Sequence, residues 1–516
     1  MAVRLGRDLP GYLRDPLSPD AASEHVRRAL AHRERRFLHA LDRLVFRHER
    51  SPYLRLLRVA GCERGDLHAL VAREGIEGAL RVLAAQGVYV TVDELKGRRP
   101  IVRGSARFTV SDRDFHSPLN RWRYFEETGG SRGRPQRVGR TLPYLTDLAA
   151  LVAVFYDAHG IRDPWNVFWF GAMPSWILLH LKLGHSLDAW FQPVQPLPWP
   201  ARYGLRYIGA LAQRAGRSVP APIHCNLLEP EPIARWIVEH LGQGRPVVLN
   251  SPVSSSVRVA AAAAALGCSL DGVTFHGRSE PLTPARQRQI EATGARVVTD
   301  YATVELSMLA VPCAATRAPD DLHLGSHRHA VVERERPVYE GGPTVRALAF
   351  TTLGIAAPLV ALNVETGDVA DLDERACACT LGALGLTTHL ANVRSFEKLS
   401  TEGTTFIRAE VLDILEGLLP DRFGGTALDY QLVEHEAPNG AGTLVLRIHP
   451  GVPITDEDAV RTAFLEALAR VSAVEAYQTE LLRRAQAVTI QRLPPLATGV
   501  GKVLPFHLAR SAAAVR

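Results

Sequence analysis

Apolar residues recur at spacings of three and four across residues 21–46 and 65–85, with Arg and Glu between them. That period predicts amphipathic helices. Residues 1–104 therefore read as a helical N-terminal extension, closed by the polar, turn-rich segment Lys96-Gly-Arg-Arg-Pro-Ile-Val-Arg-Gly-Ser. From residue 105 the pattern changes to short β-branched runs alternating with helical stretches. Pro246-Val-Val-Leu-Asn, Gly272-Val-Thr-Phe-His and Ala295-Arg-Val-Val-Thr-Asp are predicted strands. Each ends in a polar or glycine-containing loop, where an α/β sheet places its ligands. Thr283 followed by Pro284 predicts the N-cap and first position of a helix over 284–292. Beyond Arg394 a third texture begins, with a short helix at 410–419, strands at Tyr430-Gln-Leu-Val-Glu and Leu444-Val-Leu-Arg-Ile-His, and an amphipathic stretch at 455–470. The expected organisation is α/β: an extension at 1–104, a large α/β domain at 105–394 and a small α+β domain at 395–516.

Composition narrows the class. With 46% hydrophobic and 22% charged residues in 516, the chain is that of a globular protein, and disorder, collagen and a disulfide miniprotein are excluded. A net charge of +6 is small for this length and gives no sign of a nucleic-acid partner. Of the 60 basic residues only Lys96, Lys182, Lys398 and Lys502 are lysine, leaving 56 arginines. A lysine that survives such a bias marks a place where a compact, mobile ammonium serves and a planar guanidinium does not, unless it survives by chance. The N-terminus has no apolar signal region, and the longest low-polarity run, 259–270, falls short of the ~18–20 residues needed to span a bilayer. The expectation is a cytoplasmic protein with no membrane partner, whose six cysteines are thiols or metal ligands.

Candidate chemistry begins at Glu127-Thr-Gly-Gly-Ser-Arg-Gly-Arg-Pro. Three glycines in five residues, beside hydroxyls and arginines, suit a loop whose backbone N–H groups wrap phosphate oxygens, although no Walker lysine follows. Further along come Ser279-Glu280-Pro281-Leu282, Asp300-Tyr301-Ala302-Thr303-Val304-Glu305, Thr366-Gly367-Asp368, Val393-Arg394-Ser395 and Thr498-Gly499-Val500-Gly501-Lys502. In this order and spacing, over about residues 105–505, the set resembles the adenylate-forming superfamily, and within it the phenylacetate–CoA ligase-like branch.

The resemblance implies a role for each matching residue. Thr128, Gly129, Gly130, Ser131, Arg132 and Gly133, through Pro135, match the phosphate-binding loop. Ser279, Glu280 and Pro281, with Asp300, Tyr301, Ala302 and Thr303, match segments lining the adenine. Glu305 matches the glutamate that helps to hold Mg²⁺, Asp368 the aspartate that binds the ribose hydroxyls, and Arg394 the arginine ending the large domain. Lys502 matches the catalytic lysine that bridges carboxylate and α-phosphate from a mobile C-terminal lid. Two positions depart from the pattern: Val304 stands where a hydroxyl residue is usual, and Phe396, followed by Glu397, stands at the hinge.

Cys377-Ala-Cys379 lies where some relatives carry a Cys-x-Cys and bind a structural zinc with an upstream Cys and His. Cys313 and His323 complete such a set here, with His327 and His329 as competitors for the fourth place. The resemblance also places an acid-binding pocket in the aromatic segment 165–176, so Trp169, Phe170, His276 and Gly277 are candidate pocket residues and an aromatic acid fits them. It implies a ligase that joins a carboxylic acid to ATP with Mg²⁺, forming acyl-AMP and pyrophosphate, and then passes the acyl group to CoA. The alternatives are transfer to an amine or carrier protein, as in secondary metabolism, and a non-catalytic nucleotide binder that kept the fold. A role for the extension in covering the pocket or forming a homodimer contact is left open.

Overall fold

The computed structural model describes residues 2–120, 124–127, 137–171, 173–193, 199–226, 229–279, 282–337, 344–395, 408–436, 442–470, 483, 488–497, 503 and 505–509. Its centre is a six-stranded parallel sheet with strands in the order 296–299, 273–278, 247–252, 165–169, 189–192 and 223–224. The strands other than the exposed edge strand 223–224 are buried along nearly their whole length, as expected of a parallel sheet covered on both faces by helices such as Leu142–Ala158, Glu231–His240 and Val253–Ala265. Thr283 caps the helix Pro284–Glu291 by accepting from the Arg286 N–H. Among the described residues no helix is long and apolar enough to cross a membrane.

The first hundred residues do not stand apart. Phe37, Tyr53, Leu80 and Val90 share one hydrophobic core with Leu309, Phe350, Leu362 and Leu390. The seam is explicit: Val90 N–H donates to the Asn363 carbonyl at 3.0 Å, Glu365 N–H donates to the Val90 carbonyl at 2.9 Å, and Val90 forms a parallel bridge with Val364. Asn363, fully buried and at φ +51°, donates its side-chain amide to the carbonyls of Leu80 (2.9 Å) and Val88 (3.1 Å).

Local structure departs from periodicity where long-range contacts intervene. The stretch 21–46 forms helices Pro19–Ala31 and Arg33–Leu41, interrupted at His32 (φ −112°). Beyond the break Arg33 and Arg36 donate to the carbonyls of Ser326 and His327, contacts that an uninterrupted helix has no reason to favour. The helix Arg64–Ala85 is kinked at Gly75 (φ +68°). The segment that reads as a connector instead holds a hairpin, Ile101–Arg103 against Ala106–Phe108.

The C-terminal unit is a four-stranded sheet in the order 488–491, 442–448, 430–436, 506–509, packed by the helix Glu457–Ala469. It is seated on the large domain by a buried ion pair, Arg286 Nη2 to Glu416 Oε1 at 2.8 Å, and by Thr283 Oγ1 donating to Glu416.

Asn363→Ala removes two bonds to the carbonyls of the fully buried Leu80 and Val88. We expect a loss of about 2–3 kcal/mol in urea unfolding, and a smaller loss is the result that argues against the seam.

Candidate functional site

The carboxyl ends of three adjacent parallel strands meet in register, with Asn250 beside His276 and His276 beside Val298. Here the chain leaves strand geometry, and Ser279 takes a positive φ of 65°. Asp300 Oδ2 accepts from Arg278 Nε at 2.8 Å and lies 3.1 Å from His276 Nε2. The Arg278 guanidinium lies 3.7 Å over the Trp176 ring, and Trp176 Nε1–H donates to Asn250 Oδ1 at 3.2 Å. All of these polar groups are buried. Burial raises the Asp300 pKa, but the Arg278 charge and the His276 bond more than offset this and hold it below the ordinary 3.8. Burial lowers the His276 pKa despite Asp300, so its ring is neutral.

Past Asp300 the strand Tyr301–Thr303 turns back on itself. Leu306 N–H donates to Thr303 Oγ1, Arg140 Nη2 donates to the Val304 carbonyl at 2.7 Å, and Tyr144 OH donates to the Leu306 carbonyl at 2.9 Å. These bonds fix the turn that carries Glu305. Tyr301 OH donates to Asp368 Oδ2 at 2.7 Å, with Thr366 Oγ1 at 3.0 Å. Burial first, and then the Asp368 and Glu305 charges, push the Tyr301 pKa well above 10. The strand Tyr301–Thr303 therefore holds the two candidate carboxylates near one phenol. Ala302 and Thr303 lie on this strand, and Arg394 on the strand Thr388–Ser395, which pairs with Asp368–Glu374 so that Asp368 faces Ser395. Arg394 Nη1 donates to Asp320 Oδ2 at 3.0 Å, while Asp320 also accepts from the backbone N–H groups of Asn392 and Val393.

Several predicted residues lie outside the described residues: Thr128 to Pro135, Glu280, Pro281, Phe396, Glu397 and Lys502. The strands bordering the glycine-rich segment, Tyr124–Glu127 and Arg137–Arg140, pair antiparallel. Val503, next to Lys502, is buried; its N–H donates to Ser254 Oγ at 3.4 Å and its carbonyl accepts from Arg286. Of the candidate pocket residues, Trp169 belongs to the core beside Val167, Phe191 and Phe275; Trp176, from the same aromatic segment, is buried in a second core beside Leu148 and Phe168 and also meets the polar cluster. Phe170 is buried, and its carbonyl accepts from Trp190 Nε1. Gly277 is confined, since a Cβ there would come within 2.8 Å of Val253.

The structure gathers Cys313, His323, Cys377 and Cys379, whose ligand atoms all lie within 4.8 Å of one another. Cys313 Sγ is 3.5 Å from Cys377 Sγ and 4.0 Å from Cys379 Sγ. A tetrahedral site with ordinary Zn–S bonds needs sulfurs about 3.8 Å apart. His323 Nδ1–H donates to the Leu386 carbonyl at 2.6 Å, which turns Nε2 toward Cys379 Sγ at 3.1 Å. Burial lowers the His323 pKa to about 4, so the ring is neutral with Nε2 free to ligate. His327 and His329 are not in this cluster.

Sequence reasoning missed Arg140, Asp320 and Lys96. Lys96 Nζ lies 3.7 Å from Glu305 Oε1, and its rarity among 56 arginines was the available signal.

The sequence matches no family model and no curated protein. Among solved structures, 2-hydroxyisobutyryl-CoA ligase in the postadenylation state, in complex with 2-HIB-AMP, aligns with a TM-score of 0.51 and 15% identity over 96% of this chain and 91% of that one. The same ligase with 2-HIB-AMP and CoA in its thioesterification state gives 0.44 and 15% over 96% and 89%. ATP-bound MatB from Rhodopseudomonas palustris gives 0.44 and 14% over 85% and 75%. The first likeness shows the fold alone: a large α/β domain followed by a small C-terminal one, arranged as in that ligase.

Because the folded Asp300 pKa lies below 3.8, its stabilising contribution is complete above about pH 4 and is lost as pH falls through the folded value. Asp300→Asn leaves Arg278 buried without its carboxylate. We expect a loss of about 3 kcal/mol at neutral pH and a shallower acid limb in pH-dependent unfolding.

Proposed function

We propose that this chain is an ATP-dependent carboxylate-activating ligase of the phenylacetate–CoA ligase-like branch. In this reading an oxygen of the acid, an aromatic one, bonds to the α-phosphorus of ATP as the bond to pyrophosphate breaks, giving acyl-AMP. The thiol sulfur of CoA then bonds to the acyl carbon, AMP leaves, and the thiol proton passes to solvent. The observation that carries the reading is that the Tyr301 hydroxyl, just past the carboxyl end of the parallel strand 296–299, donates to Asp368 and also feels the Glu305 charge, near the position where open α/β sheets bind nucleotides.

The residues divide the work. Asp368, oriented by the Tyr301 hydroxyl, accepts from ribose hydroxyls, and the turn 300–303 lines the adenine. The loop 128–135 wraps the polyphosphate with backbone N–H groups. Glu305, fixed on a turn held by Arg140 and Tyr144, offers the one-carboxylate attachment that suits a magnesium ion still largely bound by water and phosphate. When bound, that ion neutralises phosphate charge. Lys502, on the C-terminal domain, brings an ammonium between two anions that otherwise repel, a role a compact donor fills where water is excluded. Trp176, buried with Arg278 over its ring, belongs to the aromatic segment 165–176 that the resemblance assigns to the acid pocket. Val304, in place of a hydroxyl, favours a second reading, a relative that binds nucleotide without turning it over. Cys313, His323, Cys377 and Cys379 form a closed structural zinc site, supported by their sulfur spacing and the fixed His323 tautomer.

Lys502→Ala is expected to abolish acid-dependent pyrophosphate release, at least a thousandfold, while ATP still binds. Unchanged release overturns the role of Lys502, and ATP binding by wild type without release under any acid favours the second reading. Protein purified without chelator should contain about one zinc per chain, lost in the Cys377→Ser, Cys379→Ser double variant. Metal-free wild type overturns the zinc assignment.

A further inference from the structure

The contact between Lys96 and Glu305 joins the N-terminal region to the nucleotide site; it is looser than the buried carboxylate pairs nearby and has the spacing of the more exposed pairs of Asp93 with Arg98 (3.6 Å) and Arg99 (3.7 Å). Asp300, Glu94 and Glu416 each meet an arginine at hydrogen-bonding distance. The Lys96 ammonium stands 3.7 Å from Glu305 Oε1, inside ion-pair range but beyond N–H···O bonding distance. Among the described residues no hydrogen bond engages its three donors. Both side chains are largely withdrawn from water, 25% and 16% exposed, so the charge is poorly screened.

The lysine is held in place by its own segment. It ends the short helix Val92–Leu95, whose start is locked by the reciprocal Thr91 and Glu94 capping bonds. Arg103 clamps Glu94 with two bonds, of 2.8 and 3.1 Å, and donates to the carbonyls of Gly87 and Tyr89. Gly97 follows at φ +65°, where a Cβ would come within 2.7 Å of the Val110 carbonyl, so the chain turns in one way only. The Val90 seam to Val364 ties the same segment to the approach to Asp368. A loosely engaged ammonium, fixed on a rigid turn beside Glu305, in a chain that uses arginine almost everywhere else, is arranged for an incoming anion. A guanidinium here would instead grip Glu305 through two parallel bonds.

We propose that Lys96 is a polyphosphate-binding residue of the nucleotide site. It neutralises Glu305 while the site is empty, and it donates to the β- or γ-phosphate oxygens of a nucleoside triphosphate once Glu305 engages the metal ion. The proposal rests on the nucleotide-site reading above.

Its signature is discrimination between ATP and AMP, measured by isothermal titration with and without Mg²⁺. In Lys96→Met, ATP affinity falls about tenfold or more, the loss of one charge-assisted bond, while AMP, which lacks the β- and γ-phosphates assigned to Lys96, changes in affinity by less than about twofold. Lys96→Gln, which keeps length and polarity, carries the same test if the methionine variant folds poorly. Unchanged ATP affinity overturns the proposal and leaves Lys96 as a counter-ion of Glu305 alone. Equal loss of ATP and AMP, with a lowered melting temperature, overturns it in favour of packing. If wild type binds neither nucleotide, the nucleotide-site reading fails first and this proposal falls with it.

Discussion

The parallel seam between Val90 and Val364 is the constraint on which the candidate site depends. Two backbone hydrogen bonds and the buried Asn363 amide weld the N-terminal region to the strand that leads into Thr366, Gly367 and Asp368. Together with the shared core and the bonds of Arg33 and Arg36, that weld fixes Lys96 in relation to Asp368. With it, Leu80, Val90, Phe350 and Leu362 bury their side chains in one core, and burial of that kind is the dominant favourable term in folding. The carboxylates near Tyr301 are thus positioned from two sides, by the strand Tyr301–Thr303 and by the segment that enters from residue 88.

Charge is managed differently inside the scaffold and at the site. Interior carboxylates are given partners outright: Asp300 meets Arg278, Glu94 meets Arg103, and Glu416 meets Arg286 across the two domains. Removing either partner would leave a charge in a medium that cannot solvate it. Glu305 is treated otherwise, since its cation stands at 3.7 Å and its turn is held through the backbone by Arg140 and Tyr144. A carboxylate fixed in position yet loosely paired is suited to exchanging one cation for another.

Much of the fold was legible in the sequence because local chemistry and tertiary structure agree there. Thr283 and Pro284 start a helix, and the three β-branched runs are adjacent strands of the parallel sheet. Periodicity failed where distant groups decide: the chain breaks at His32, where Arg33 and Arg36 reach carbonyls nearly 300 residues away. Aromatic density at 165–176 did not say which ring faces the site, and the structure puts Trp169 in the core and Trp176 against Asn250 and Arg278. The cysteines and His323 are 56 to 66 residues apart in the pairs that touch, so spacing alone could not group them; only the resemblance did. Lys96 was visible as a rare lysine, but its partner is fixed by tertiary packing that the sequence does not display.

The proposed chemistry is the coupling of a carboxylic acid to ATP. Exchange of labelled pyrophosphate into ATP, run with wild-type protein and Mg²⁺ across a panel of aromatic and aliphatic acids, tests it most directly. The account predicts exchange that requires an acid and is strongest with an aromatic one. Absence of exchange with every acid, in protein that binds ATP, would contradict it.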